Sequence, residues 1–189
     1  MDVRATIFLF LALPALAFPQ FTARVIGVSD GDSIQVRTVR SGRVETLTVR
    51  LDGIDAPEMN QPYGISSKWW LSGRLLDQRV TIRRTDTDSY GRMVARVIRS
   101  GRDISAESVR AGMAWWYRDY AKADKALQKA ESEARRARRG LWSQPRPIAP
   151  WEWRRGGAVR WAIEQKRERE RKERQRQQGG TLTPKGRRS

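Results

Sequence analysis

The chain has 189 residues, enough for one domain with a substantial core plus extensions and short for two. It contains no His and no Cys, which excludes Ser-His-Asp hydrolysis, His-based nuclease chemistry, thiol nucleophiles and the usual zinc sites, and leaves hydrolysis to carboxylates, cations and oxygen ligands. A formal charge of +17 and a pI near 11.3 attract polyanions; nucleic acid fits, and so does an anionic membrane surface.

At the N-terminus, Met1-Asp2-Val3-Arg4 leads into an apolar run from Ala5 to Phe18 that holds Ala15-Leu16-Ala17, the small-x-small pattern of a signal-peptidase site. The run falls short of the roughly 20 apolar residues that span a bilayer. Residues 1–17 are therefore read as a signal peptide cleaved after Ala17, and the protein as secreted or periplasmic, with no stable membrane partner once the leader is gone. Asp2 offsets the charge of Arg4, which keeps an uncleaved membrane anchor as the alternative.

Three strands are predicted next, over Ala23–Val28, Ser33–Val39 and Val44–Leu51, from β-branched, partly alternating content broken at Asp30-Gly31 and Ser41-Gly42. Ile65, Trp69, Leu71, Leu75 and Leu76 fall mostly at helical spacing and predict a helix between Gly64 and Gln78. Two more strands, Arg79–Arg84 and Met93–Ile98, flank the turn-like stretch Asp86–Gly91. Five strands with a helix after the third make a small closed or nearly closed barrel. Asp103 caps a short helix that stops at Gly112, and a longer helix over Ala121–Arg139 turns Leu127, Ala130, Ala134 and Ala137 inward and ends at Gly140.

The domain is bounded at 22–143. Residues 144–153 form a Pro- and Trp-rich extension running over its surface, pinned by Trp151-Glu152-Trp153. From Arg154 to Ser189 the chain carries 13 Lys and Arg against 4 Glu; with too few apolar residues for a core, this basic tail is expected to be disordered, apart from a possible charged helix at its centre.

The chemistry concentrates in three segments. Asp32, after the Asp30-Gly31 turn, and Asp55, after the third strand, bring two carboxylates together from different elements, the oxygen ligands a hard cation prefers. Two are too few for a tight cage, so the cation would need high concentration or the substrate's phosphate to complete its shell, which suits an exported protein. Glu58, behind Pro57, lies close enough to take a proton from water. Arg50, at a strand end, and Arg92, past the Tyr90-Gly91 turn, supply forked donors for phosphate oxygens. Singly, Asp30-Gly31-Asp32 is a turn and the two arginines are surface charges; their conjunction points to a site for cutting phosphodiesters.

Over roughly Ala23 to Trp142 the chain resembles the staphylococcal nuclease (thermonuclease) family, with D-G-D-[ST], R-L-x-G-I-D-x-P-E and D-x-Y-G-R in the family's order and a closing G-L-W at Gly140–Trp142. The resemblance implies an α+β, mainly β fold, a five-stranded OB-fold barrel with three helices. It implies Ca2+ at Asp32, Asp55 and the main-chain carbonyl of Ala56, which stands where the type member has Thr. Glu58 is then the general base for an in-line water attack, Arg50 and Arg92 bind the phosphate and its transition state, and DNA and RNA are the substrates, typically cut to leave a 3′-phosphate. For the aromatic cradle of the nucleotide the candidates are Tyr90, Tyr117 and Tyr120. None of the eight Trp residues is assigned to substrate, and Trp69 or Trp70 and Trp142 are read as packing residues. The expected protein is an exported, monomeric, Ca2+-dependent nuclease of little sequence preference. The alternatives are a noncatalytic OB-fold module that binds nucleic acid and a basic protein at a membrane surface.

Overall fold

A computed structural model describes residues 20–179. The predicted signal peptide lies outside them. Strands β1 (Gln20–Val28), β2 (Ser33–Arg40) and β3 (Arg43–Leu51) form an antiparallel meander, followed by a two-residue strand β4 (Ile54–Asp55) and helix α1 (Gly64–Leu75). Then come β5 (Arg79–Thr87), β6 (Met93–Arg99), β7 (Arg102–Asp103), α2 (Ile104–Arg110), β8 (Trp115–Trp116), α3 (Arg118–Ala121) and α4 (Lys125–Arg136). The five long strands lie in the order β3-β2-β1-β5-β6, and a parallel pairing of β3 with β6 closes the ring into the expected OB-type barrel.

Alternation along each strand fills the barrel: Ile34 and Val36 of β2, Val49 and Leu51 of β3, and Ile82 of β5 are buried, while intervening residues face out. Leu71 and Leu75 of α1, Val109 of α2 and Leu127 of α4 cover the open parts of this core. Arg96 on β6 ties three elements together, binding Asp52 at 3.0 Å, Asp103 at 3.0 Å and Asp124. A second, smaller cluster joins Trp115, Ala134, Leu141, Trp142 and Ala149.

Helix α4 buries Leu127, Ala130 and Ala134 as expected and leaves Ala137 exposed, whereas α1 departs from the sequence expectation in its face. On α1 the buried stripe is Gly64, Ser67, Leu71 and Leu75, whereas Ile65 and Trp69 are exposed. Small residues hold half of that stripe because the helix packs closely at its first two turns, a pattern that hydrophobicity alone does not mark. Packing therefore falls to Trp70, against the core, and to Trp142.

Beyond the barrel the chain runs through helix α5 (Pro150–Glu152) and a wide turn at Trp153–Gly157 into a long helix α6 (Ala158–Gly179), which spans the charged helix allowed at the centre of the basic tail. Trp153 is buried and its ring lies 5.7 Å from that of Trp161, so two aromatics anchor the start of a helix that lacks its own apolar face. Farther along, Glu168 pairs with Lys172 at 3.0 Å and Glu170 with Arg174 at 4.0 Å, the i,i+4 spacing that supports exposed helices. Among the described residues no helix is long and apolar enough to cross a membrane.

Candidate active site

One mouth of the barrel gathers most of the reactive side chains. Asp30 Oδ1 accepts the Asp32 N–H at 3.0 Å, fixing the turn before β2, and the Asp32 carbonyl accepts the Leu51 N–H at 2.8 Å. The β2–β3 register sets Ser33 opposite Arg50, which brings Asp32 beside the Arg50 guanidinium. Gly31 is required by contact: a Cβ there would lie 2.7 Å from the Cβ atoms of both Ala56 and Ser67.

After β3 the chain reverses at Gly53, whose φ of +75° and place 2.6 Å from Leu127 Cδ1, measured from a Cβ it lacks, both demand glycine. The reversal lays β4 against β8, with Asp55 opposite Trp115 and the Tyr117 N–H on the Gly53 carbonyl at 3.0 Å. Asp55 thereby points to the same mouth as Asp32.

Asp32 is 4% and Asp55 1% exposed. Arg50 bridges them, Nη1 donating to Asp32 Oδ1 at 2.8 Å and Nη2 to Asp55 Oδ1 at 3.1 Å. Asp32 Oδ1 also accepts from Ser33 Oγ at 3.0 Å, and Oδ2 from the Ala56 N–H at 2.8 Å. Burial pushes the Asp32 carboxyl up to about 7 against the pull of Arg50, and on Arg50 the two carboxylates outweigh burial and raise its pKa. Neighbouring buried carboxylates need cations, and their oxygens fit a hard metal ion. No group of three or more His, Cys, Asp or Glu side chains that could hold a metal occurs among the described residues.

Glu58, in the loop between β4 and α1, stands within reach of Asp55 through a shared partner that sequence reasoning missed. Arg154 Nη2 donates to Asp55 Oδ2 at 2.7 Å and Nη1 to Glu58 Oε1 at 2.6 Å. These contacts outweigh burial and hold Arg154 well above its ordinary value. The loop is fixed from behind by Gln61, whose Oε1 accepts the Glu58 N–H at 3.1 Å while its Nε2 donates to the Ile148 carbonyl at 2.7 Å.

Arg92 precedes β6, which runs beside β3 with Val94 opposite Arg50. The Arg92 Nε donates to Asp88 Oδ2 at 2.7 Å, and Arg92 makes no ion pair with Asp32, Asp55 or Glu58. Tyr90, 84% exposed, has the Arg92 guanidinium 5.5 Å from its ring. Tyr117 and Tyr120 lie together with ring centroids 4.7 Å apart. Burial first, then the Asp55 carboxylate, raise the Tyr117 hydroxyl above its usual value. The face of Tyr117 is covered: Trp151 stacks on it at 5.3 Å with an interplanar angle of 8°. The only signal for Trp151 and Arg154 in the sequence is the aromatic-then-basic run Trp151–Arg155 after the prolines, which says nothing about where that run returns.

Comparison with known proteins identifies the family. The family model described as staphylococcal nuclease homologue matches residues 48–144. The chain is 38% identical over 163 residues to the micrococcal nuclease of Shigella flexneri, covering 81% of this chain and 90% of that protein. It is 39% identical over 132 residues to an uncharacterized endonuclease of Escherichia coli O157:H7 (69% and 83% covered), and 35% over 156 residues to one of Haemophilus influenzae (82% and 85%).

Proposed function

The chain belongs to the staphylococcal nuclease family and is a nuclease; from that premise we propose that it is an exported, monomeric, Ca2+-dependent enzyme cutting both DNA and RNA with little sequence preference. The observation that carries the reading is the meeting of two nearly fully buried carboxylates, Asp32 and Asp55, on one guanidinium at the barrel mouth. Nucleases of this family are generally metal-dependent. Here Asp32, Asp55 and the Ala56 carbonyl would hold the ion, with water and substrate phosphate completing its shell. When bound, Ca2+ would offset phosphate charge and favour deprotonation of a nearby water.

Glu58 accepts the proton of the water that attacks phosphorus in line. Arg50, oriented by both aspartates, and Arg92, oriented by Asp88, donate to the nonbridging oxygens as negative charge grows there. The bond to the 5′ oxygen breaks, that oxygen takes up a proton, and the phosphate stays on the 3′ side. Tyr90 and Tyr120, both exposed, and Tyr117 once Trp151 leaves its face, offer rings to the bases, a contact worth about 1–3 kcal/mol per base and tolerant of sequence.

The test incubates the protein without residues 1–17 with DNA and with RNA in Ca2+, in Mg2+ and in chelator. Cleavage of both polymers in Ca2+ that chelator abolishes is expected. Undiminished cleavage in chelator would remove the metal reading, and cleavage of one polymer alone would remove the dual substrate.

A further inference from the structure

Trp151 and Arg154 belong to a segment beyond the barrel, yet they lie on the two features that the proposed reaction uses: the ring of Tyr117 and the carboxylates of Asp55 and Glu58. We propose that residues 148–157 form a built-in strap in which Arg154 occupies the cation position and Trp151 the base-stacking position, so that metal ion and nucleotide must displace this chain's own side chains to enter. The proposal rests on the reading of Asp55 as a metal ligand.

The geometry is that of competition. Asp55 Oδ1 is already engaged by Arg50, and Arg154 takes Oδ2 at 2.7 Å with a longer 3.4 Å contact to Oδ1. A carboxylate offers about four acceptor positions, so an ion arriving at Asp55 meets a guanidinium already seated. The same guanidinium holds Glu58 Oε1 at 2.6 Å, the carboxylate that must be free to take a proton. On the other side Trp151 lies parallel to Tyr117, as a stacked base would, and meets the Trp115 ring edge-on at 5.6 Å.

The strap is anchored independently of Arg154. Trp153 Nε1 donates to Asn60 Oδ1 at 3.1 Å, and Gln61 Nε2 to the Ile148 carbonyl at 2.7 Å. Both partners lie on the Glu58 loop, so the segment stays docked when the arginine leaves. The Arg154 side chain is 44% exposed, against 1% for Asp55, so it can swing into water while the carboxylate stays fixed. The expected result is a nuclease with a raised Ca2+ threshold, shut when the ion is scarce.

The test measures Ca2+ affinity of the full chain by calorimetry, for the wild type, Arg154→Gln, Arg155→Gln and Asp55→Asn. Arg154→Gln should bind Ca2+ about tenfold more tightly, a change equivalent to ~1.4 kcal/mol. Arg155→Gln removes the same charge one residue along, from a side chain with no ion pair among the described residues, and should change affinity little. Equal affinity of Arg154→Gln and wild type, or an equal gain in both arginine variants, overturns the strap while leaving the metal reading intact. Unchanged binding in Asp55→Asn overturns the metal reading and the strap with it. In chelator, charge-neutral Trp151→Ala should bind a short single-stranded oligonucleotide severalfold more tightly by uncovering Tyr117; weaker or unchanged binding would mean that Trp151 does not block a base site.

Discussion

Gly64→Ala couples the fold to the proposed base through a backbone contact with Glu58. Gly64 opens α1 and is buried, and a Cβ there would stand 1.9 Å from the Glu58 carbonyl oxygen, 2.7 Å from its carbon and 3.0 Å from Met59 Cα, where ordinary contact begins at 3.4 Å. These are backbone atoms of a loop tied by two turn hydrogen bonds, Gln61 N–H to the Glu58 carbonyl at 2.8 Å and Gly64 N–H to the Gln61 carbonyl at 2.9 Å. Relief of the contact therefore means moving Glu58, or the helix start, by ~1.5 Å. Overpacking of this kind costs about 1–3 kcal/mol, and a displacement near 1 Å at a reacting group costs about 100-fold in rate. The control lies in the same helix: Gly73 has nothing within 4 Å of a Cβ, so Gly73→Ala should stabilise by up to about 1 kcal/mol with activity intact. The assay is the urea midpoint of each variant together with its saturated turnover on single-stranded DNA in Ca2+. If Gly64→Ala matched Gly73→Ala in both, the steric argument would be refuted; if it were destabilised yet fully active, the tie between this loop and the chemistry would fail.

Arg50→Lys keeps the charge but cannot span Asp32 and Asp55 with one planar group, so kcat should fall about 100-fold; native kcat would remove the bidentate role. For Asp124 burial acts to raise the pKa, but the Leu127 N–H and Arg96 outweigh it and hold it below its ordinary value of 3.8. Its stabilising contribution is thus fully present above that value and is lost as pH falls through the lower folded pKa; urea midpoints measured from neutral to strongly acid pH should fall less steeply for Asp124→Asn, and parallel curves would contradict the linkage. A chain ending at Gly157 loses 11 Lys and Arg and 4 Glu but keeps Arg154. Each phosphate that α6 neutralises adds about 0.9 to the slope of log K against log salt on duplex DNA, so the shortened chain should show a shallower slope and unchanged saturated turnover; identical slopes would deny the helix an electrostatic part.

The strands were legible in the sequence because their alternation and the breaks at Asp30-Gly31 and Ser41-Gly42 are local properties of the chain. Barrel closure also followed, since β3 and β6 are the edges left unpaired by the meander and the β5–β6 hairpin. Asp32, Arg50 and Asp55 meet as expected because they flank strands whose register fixes their separation. What escaped was contact made by chemistry with no period. The stripe on α1 runs through Gly64 and Ser67, and α6 starts on two tryptophans rather than on an amphipathic face. Arg154 reaches Glu58 across 96 residues, through a proline-rich segment whose path is set by single hydrogen bonds at Asn60 and Gln61.

The central claim is that Glu58 takes the proton from the attacking water at a site built on Asp32 and Asp55. The direct measurement is kcat of Glu58→Gln on single-stranded DNA at saturating substrate and Ca2+, with oligonucleotide affinity measured alongside. Loss of a positioned proton acceptor should lower kcat by about 100-fold or more with affinity preserved. Turnover near that of the wild type would contradict the account.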